Sequence, residues 1–249
     1  MIKMAQACQR RDKTGRQREE LSCMLVGDGA VGKTSMVISY IFNGFNSDYR
    51  QTAFDVFTGL VHVNGVPTRI KLIDSAGQVG ISHHSRVSRS RPFPSQLYFC
   101  LVWQEEFGHL RSLCYAHVDV FILCFSLVNP VSFQNIASKW ILQIRGGNRT
   151  APIILVGTQS DLCQNVDILI LLAQRGTKPV TDSQARRLAR RIRASDYLEC
   201  SALTQHNLKD VFDSAVSAAI KRKEVGKNCK KLSMLRRLKA FWGGKLRFL

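Results

Sequence analysis

Short apolar runs alternate along the chain with segments whose apolar residues recur at helical spacing. Continuous apolar runs bounded by turn residues predict central strands, covered on both faces, at residues 118–126 and 152–157, and the short apolar run at residues 21–26 predicts a buried strand. Residues 54–63 alternate between apolar and polar. The turn signal Asn64 and Gly65 then predicts a hairpin that leads to a strand over residues 69–74.

Helical spacing follows most of these runs. One helix is predicted over residues 33–43, and Pro130 begins another that carries Phe133, Ile136, Trp140 and Ile144. Thr181 or Asp182 can cap an arginine-rich helix to Ala194. A short strand at 197–200 precedes a last helix that Asn207 can cap. Strands that alternate with helices predict an α/β fold with a mostly parallel sheet.

Charge is distributed unevenly over the 249 residues. The chain has 36 basic and 18 acidic residues, but residues 221–249 hold 11 basic residues and one acidic residue. Residues 1–20 and 79–104 add a net +3 each, so the remainder is almost neutral. This distribution argues against a uniformly basic nucleic-acid binder. A basic tail with leucines and aromatics favours an anionic membrane surface, although a basic run also serves solubility alone.

Other compositional signals exclude several classes. No run of eighteen apolar residues predicts a membrane-spanning helix, and residues 1–20 lack the apolar segment of a secretory signal. The eight cysteines form no C-x-x-C pair and no zinc spacing, which predicts reduced thiols in a cytoplasmic protein.

The strongest motif is G-x4-G-K-[ST], which lies between a predicted strand and a predicted helix. Small residues let backbone amides surround phosphates, and the helix directs its positive end at them. Lys33 can reach the β and γ oxygens, and the Thr34 hydroxyl can ligate Mg²⁺. The predicted phosphate-binding residues are Gly27, Asp28, Gly29, Ala30, Val31, Gly32, Lys33, Thr34 and Ser35. We call residues 27–34 the phosphate loop.

Two later segments predict the base. Thr158, Gln159 and Asp161 follow an apolar strand, where a carboxylate can accept both the N1–H and the N2–H₂ of guanine. Ser201, Ala202 and Leu203 follow a short strand, where a backbone amide can meet guanine O6. Each segment alone is an ordinary turn, but their order after a phosphate loop favours GTP over ATP. We call residues 158–161 and 201–203 the base loops.

A third set of residues is placed to handle the γ-phosphate and the metal. Asp74 can hold an Mg²⁺-bound water, the Gly77 amide can contact the γ-phosphate, and Gln78 can orient the attacking water as the catalytic residue. Thr52 is in the loop after the first helix and can supply the second hydroxyl ligand of Mg²⁺.

These motifs, in this order, resemble the small GTPases of the Ras superfamily, and the phosphate loop, residues 52–55 and the stretch 163–179 resemble the Rho family. Residues 110–115, 132–136, 156–161 and 198–205 are similar to its atypical Wrch and Chp (RhoU/RhoV-like) group. The resemblance implies a doubly wound, six-stranded P-loop GTPase sheet and a helix within 163–179. It also implies that Phe45 stacks near guanine and that Tyr49 closes over the phosphates.

The resemblance implies a GDP/GTP switch that uses Mg²⁺ and controls actin organisation and cell shape. The implied partners are exchange proteins, activating proteins and effectors such as PAK-like kinases and Par polarity proteins. The chain also departs from the family pattern. Residues 1–20 lack the prolines that dock SH3 domains in the relatives, and Gln51 replaces the proline that usually precedes the threonine at position 52. Gln159 replaces a lysine whose stem covers the base, which predicts poorer cover and fits fast exchange.

The C-terminal end departs from the family as well. The last four residues contain no cysteine, so we expect no prenylation there, and Cys229 is either an acylation site or a free thiol. We therefore predict a basic arm at 1–20, a GTPase domain at 21–222 and a membrane-directed tail at 223–249. The expected location is cytoplasmic, peripheral to plasma membrane or endomembranes.

The largest departure is an insert at residues 79–104, between Gln78 and an acidic segment that follows Gln78 directly in the relatives. All codons of Val79 begin with GT and Gln104 can be encoded by CAG, so the insert has the boundaries of an intron. It is either a translated intron or a lineage-specific loop. The chain is then an active GTPase, a GTP-binding scaffold with little hydrolysis, or an unproductive isoform.

Overall fold

Six strands form one twisted sheet in the computed structural model, which describes residues 20–45, 54–63, 66–75, 77 and 114–242. The strands are β1 (Glu20–Gly27), β2 (Phe54–Val63), β3 (Val66–Ser75), β4 (Val120–Ser126), β5 (Ile153–Thr158) and β6 (Asp196–Glu199). Their order is β2-β3-β1-β4-β5-β6, and only β2 and β3 are antiparallel. The predicted doubly wound, mostly parallel sheet is confirmed.

The continuous apolar runs occupy the centre of the sheet. Every residue of β4 and β5 is buried. Along β1, Met24 and Val26 face one core, whereas Cys23 and Leu25 face the other. A strand covered on both faces has no polar side, which explains why these runs do not alternate.

One face of the sheet carries the helical segment after β4 and a later helix. The segment comprises α2 (Pro130–Asn135), a π-helical turn (Ile136–Trp140) and α3 (Ile141–Gly147), and the later helix is α5 (Asp182–Ile192). The Asn129 side chain accepts from the Ser132 amide and caps α2, and a capping box at Thr181 begins α5. The predicted helical spacing is confirmed, although the π-helical turn interrupts it.

The opposite face carries α1 (Lys33–Phe42) and α6 (Leu208–Trp242). Tyr40 of α1 stacks on Phe212 of α6, with ring centroids 4.0 Å apart and planes 19° from parallel. Apolar residues of α6 from Leu208 to Ala219 are buried against the sheet. Arg222 donates to the carbonyls of Val118 and Asp119, so the helix is still held to the domain there.

Between β5 and α5 the chain forms a 3₁₀ turn (Ser160–Gln164) and then α4 (Val166–Gln174). The helix expected within residues 163–179 is therefore present. Its apolar residues Leu169, Ile170 and Leu171 are exposed rather than packed on the sheet.

The structure shifts several predicted bounds by one or two residues. α1 ends at Phe42 because Asn43 adopts the left-handed conformation, and α5 ends at Ile192 because Arg193 does so. β4 begins at Val120 rather than 118, and β6 covers 196–199 rather than 197–200. Asn207 precedes α6, but its amide donates to the Glu199 carbonyl.

α6 continues as a helix to Trp242, beyond the predicted domain end at 222. The predicted hairpin turn at 64–65, the arm up to residue 19 and the insert at 79–104 lie outside the described residues. Among the described helices, none combines the length and apolar content that a membrane crossing requires.

Candidate nucleotide-binding site

The phosphate loop connects β1 to α1 through three residues with positive φ: Gly27 (+150°), Ala30 (+60°) and Gly32 (+89°). At Gly27 a side chain would add a collision to the strain of the positive φ, because its Cβ would meet the Cys124 carbonyl of β4. Gly32 precedes α1 directly. The first amides of a helix have no partner within the helix, so the start of α1 can bind an anion at the end of this loop.

Lys33 lies inside the phosphate loop rather than pointing into solvent. Its side chain is 5% exposed, and Nζ donates to the Gly27 carbonyl at 2.9 Å and the Asp28 carbonyl at 2.6 Å. The ammonium group is therefore held across the loop, where its charge can face a bound phosphate chain.

Thr34 and Asp74 meet where a metal is predicted. The Thr34 hydroxyl donates to Asp74 Oδ2 at 2.5 Å, and Asp74 is fully buried at the end of β3. A hydroxyl and a carboxylate are hard oxygen donors of the type Mg²⁺ prefers, so these two residues fit the group. The other predicted ligand, Thr52, lies outside the described residues.

Gly77 lies directly against the phosphate loop. A Cβ at this position would collide with the backbone of Asp28 and Gly29. Only glycine permits this approach, which places the residue 77 backbone beside the loop that is predicted to hold the phosphates.

A cavity of about 180 Å³ opens beside the start of α1. Both base loops and the phosphate-loop end contribute to its wall. The lining residues are Gly32, Ser35, Met36, Phe45, Thr158, Gln159, Asp161, Leu162, Ala202 and Leu203. The structure therefore brings together, in one cavity, residues that the sequence predicts to bind guanine from three distant segments.

Hydrogen bonds connect the first base loop to the phosphate loop. The Thr158 hydroxyl donates to the Val31 carbonyl at 2.6 Å. Gln159 has φ +59°; its Nε2 donates to the Ala30 carbonyl at 3.3 Å, and its Oε1 accepts from the Ser126 hydroxyl at 2.5 Å. Gln159 therefore braces two loops, a contact that the sequence did not predict.

Hydrogen bonds also hold the second base loop in place. The Ser39 hydroxyl of α1 donates to the Ala202 carbonyl at 2.7 Å, and the fully buried Ser201 accepts from the Thr204 amide. Burial, reinforced by the Asp161 charge, raises the pKa of the adjacent Cys200 thiol to about 12. That thiol is protonated at neutral pH, so it is structural rather than nucleophilic.

Asp28 has partners that sequence reasoning missed. Its carboxylate accepts from the Trp140 indole at 2.6 Å and from the Asn135 amide at 2.6 Å. The sequence offered no signal for these contacts, because 107 or more residues separate each donor from Asp28. Ser126 and Ser39 were missed for the same reason. Tyr49 and Gln78, predicted to bind the nucleotide and to position water, lie outside the described residues.

Comparisons with known proteins agree with a nucleotide-binding site of this kind. The Ras family model matches residues 22–90 and 102–221. The proteins named "Rho-related GTP-binding protein RhoV" from Rattus norvegicus, Mus musculus and Homo sapiens are each 50% identical to this chain over 204 residues. These alignments cover 82% of this chain and 75% of each relative.

The interruption of the family match, residues 91–101, falls inside the insert at 79–104. The matched segment before the interruption includes the phosphate loop, and the matched segment after it includes both base loops. The chain therefore belongs to the Ras superfamily of small GTPases, and within it to the Rho family, where it is similar to the atypical RhoV proteins.

Proposed function

We propose that this chain is a GDP/GTP switch that binds guanine nucleotide with Mg²⁺, hydrolyses GTP slowly, and docks effector proteins that act on actin organisation and cell shape. The observation that carries the proposal is the convergence of the phosphate loop, Asp74, Gly77 and both base loops at the carboxyl ends of the parallel strands. The alternative, a GTP-binding scaffold with little hydrolysis, differs only in what the insert does to Gln78.

Each part of the site has a distinct task in this proposal. Asp161 accepts from guanine, and the phosphate-loop amides with Lys33 neutralise the phosphates. Mg²⁺, held through Thr34, Thr52 and water on Asp74, would supply positive charge to the phosphate oxygens. Gln78 orients the attacking water, and the Gly77 amide marks the γ-phosphate position.

An exposed strand at the sheet edge supports effector docking. β2 has no strand neighbour beyond β3 among the described residues, and its side chains Asp55, Val56 and Leu60 are exposed. An open edge can accept a strand from a partner. Thr52 lies only two residues before β2 in the sequence, so its proposed role in binding Mg²⁺ would link the γ-phosphate to the start of this edge.

Effector capture tests the proposal. The full chain, loaded with a non-hydrolysable GTP analogue or with GDP, is offered to the GTPase-binding fragment of a PAK-type kinase and to a Par polarity protein. We expect capture with the analogue only, and its loss in Val56→Lys. The matched control is Val131→Lys, since Val131 is similarly exposed on α2. Capture that ignores the nucleotide would overturn the switch.

The basic tail is the proposed membrane contact. Residues 227–249 hold eight basic residues and no acidic one. Arg222 and Lys223 are different, since Arg222 donates to Thr150 at 2.7 Å and Lys223 pairs with Asp119 at 3.0 Å. These contacts fasten the helix to the domain, so we place the start of the membrane-directed segment after residue 226.

Vesicle sedimentation tests this placement. We expect the full chain to sediment with phosphatidylserine vesicles at low salt and to be released by high salt, because each basic group contributes about 1 kcal/mol near an anionic surface. Removal of residues 227–249 should abolish sedimentation. Neutralising Arg187 and Arg191 on α5 should not. Salt-independent binding, or displacement by RNA at equal phosphate concentration, would contradict a membrane-directed tail.

A further inference from the structure

The Asp28 carboxylate presents a physical problem. It belongs to a loop that binds anions, and a negative charge near phosphates is unfavourable. The structure holds this carboxylate on the helical segment after β4: Oδ1 accepts from Trp140 Nε1 and Oδ2 accepts from Asn135 Nδ2, each at 2.6 Å. Both oxygens are therefore bound by donors from outside the phosphate loop.

The backbone of Asp28 is held by a different partner. Its carbonyl accepts from Lys33 Nζ at 2.6 Å, so the residue is fixed at its main chain by the loop lysine and at its side chain by two helical donors. Asp28 also touches the predicted γ-phosphate region, since a Cβ on Gly77 would collide with its carbonyl. A movement of Asp28 would therefore shift Lys33 and the Gly77 contact together.

The π-helical turn explains how both donors reach one carboxylate. Asn135 and Trp140 are five residues apart, and in an α-helix residues five apart lie about 140° apart around the axis. Here the Ile141 amide bonds to the Ile136 carbonyl, five residues back. Such a turn brings residues five apart towards the same face, and π-helical turns occur frequently at functional sites.

The surroundings make the contact rigid. Trp140 is completely buried and packs in the core beside Ile136 and Ile144. Neutral donors satisfy the carboxylate without placing another cation in the loop, so Lys33 remains the buried cation at this site among the described residues.

We propose that Trp140 and Asn135 are positioning residues for the phosphate loop: they hold the Asp28 carboxylate against the helix and thereby slow nucleotide release. This inference rests on the proposed function, because it concerns the same site. Neither residue touches the nucleotide in the proposal, and each acts through Asp28.

Nucleotide dissociation tests the proposal. The full chain is loaded with a fluorescent GDP analogue, and release is followed in excess GDP and Mg²⁺. We expect Trp140→Phe and Asn135→Ala each to raise the dissociation rate constant about tenfold, the factor for one hydrogen bond to a charged group. The matched control is Trp242→Phe, a tryptophan at the far end of α6, which should release nucleotide at the wild-type rate.

A double-mutant cycle separates positioning from general destabilisation. In an Asp28→Ala background, Trp140→Phe and Asn135→Ala should leave the dissociation rate within about twofold, because the shared acceptor is gone. Loss of core packing alone would instead accelerate release in both backgrounds. Asn135→Ala removes only a half-buried amide, so it keeps the test available if Trp140→Phe fails to fold.

The outcomes are distinct. Unchanged release in Asn135→Ala, or equal acceleration with and without Asp28, overturns the positioning role while guanine binding stands. A wild-type chain that binds no guanine nucleotide would instead overturn the proposed function itself.

Discussion

At the scale of single residues, some residues of the site could be predicted from a sequence motif, whereas others could be found only in the folded structure. The prediction of Gly27, Lys33, Thr34 and Asp161 was possible because a phosphate loop and a guanine contact require these residue types at recognisable places in the sequence. The residues that support the site from elsewhere are Cys124 beside Gly27, Ser39 bonded to Ala202 and Trp140 bonded to Asp28. They belong to ordinary apolar or helical segments. Only folding brings these partners to the site, so no local pattern could reveal them.

Asp161 carries the residue-scale prediction. Asp161→Asn keeps the size of the side chain but replaces one acceptor oxygen with a donor amide, which cannot accept from both guanine N–H groups. Each charge-assisted hydrogen bond contributes roughly 1.5–3 kcal/mol, so GTP affinity should fall at least about tenfold. Titration with a fluorescent GTP analogue measures this change.

The control for that titration is Asp167→Asn. Asp167 is an exposed carboxylate in the first turn of α4, six residues along the chain, and it does not line the cavity. We expect wild-type affinity in this variant. Equal GTP affinity in Asp161→Asn and the wild type would refute the guanine assignment.

At the scale of elements, the apolar pattern predicted reliably that a helix or strand exists, but it predicted less well where each one begins and ends. Strands β4 and β5 were predicted because their residues are apolar up to the polar or small residues at their ends, and both strands are buried throughout. The π-helical turn was not predicted, because residues 130–147 show ordinary helical spacing. One extra residue in one turn barely alters that spacing, although it brings residues five apart, such as Asn135 and Trp140, towards the same face.

The junction of β1 and α1 depends on close backbone contact between β1 and β4. Gly27→Ala would place a methyl group against the Cys124 carbonyl and keep φ at +150°. The strained backbone alone costs roughly 1–3 kcal/mol. We expect a clear fall in the free energy of unfolding, measured by guanidinium denaturation of the GDP-bound chain.

Gly146→Ala is the matched comparison for that measurement. Gly146 lies in α3, and a Cβ there would meet open space. Alanine is the better helix former by up to about 1 kcal/mol, so stability should be equal or higher. If Gly27→Ala and Gly146→Ala were equally stable, the close contact of β1 with β4 would not be a constraint.

At the scale of the whole molecule, the two faces of the sheet carry helices that make different contacts. α1 and α6 lie on one face, and α6 continues into the basic tail as far as Trp242. The other face carries Trp140, which reaches the phosphate loop through Asp28. The insert at 79–104 separates Gln78 from the acidic segment at Glu105 and Glu106, whereas the phosphate loop and both base loops are in other parts of the chain.

This separation predicts that binding and catalysis respond differently to the insert. In the proposed mechanism, Gln78 holds a water in line with the γ-phosphate, and the segment that follows Gln78 keeps it in that position. Deleting residues 79–104 joins Gln78 to the acidic residues Glu105 and Glu106, the arrangement that the family resemblance implies. GTP affinity should then stay within a few-fold, whereas hydrolysis stimulated by an activating protein, worth roughly 10³–10⁵ in rate, should be restored.

The most direct test is single-turnover GTP hydrolysis by the purified full chain and by the chain without residues 79–104, each with and without a Rho activating protein. Slow hydrolysis by the full chain, weakly stimulated, together with strong stimulation of the deleted form, is the predicted result. Normal stimulation of the full chain would contradict the role given to the insert. Absence of GTP hydrolysis in both forms would contradict the GTPase switch.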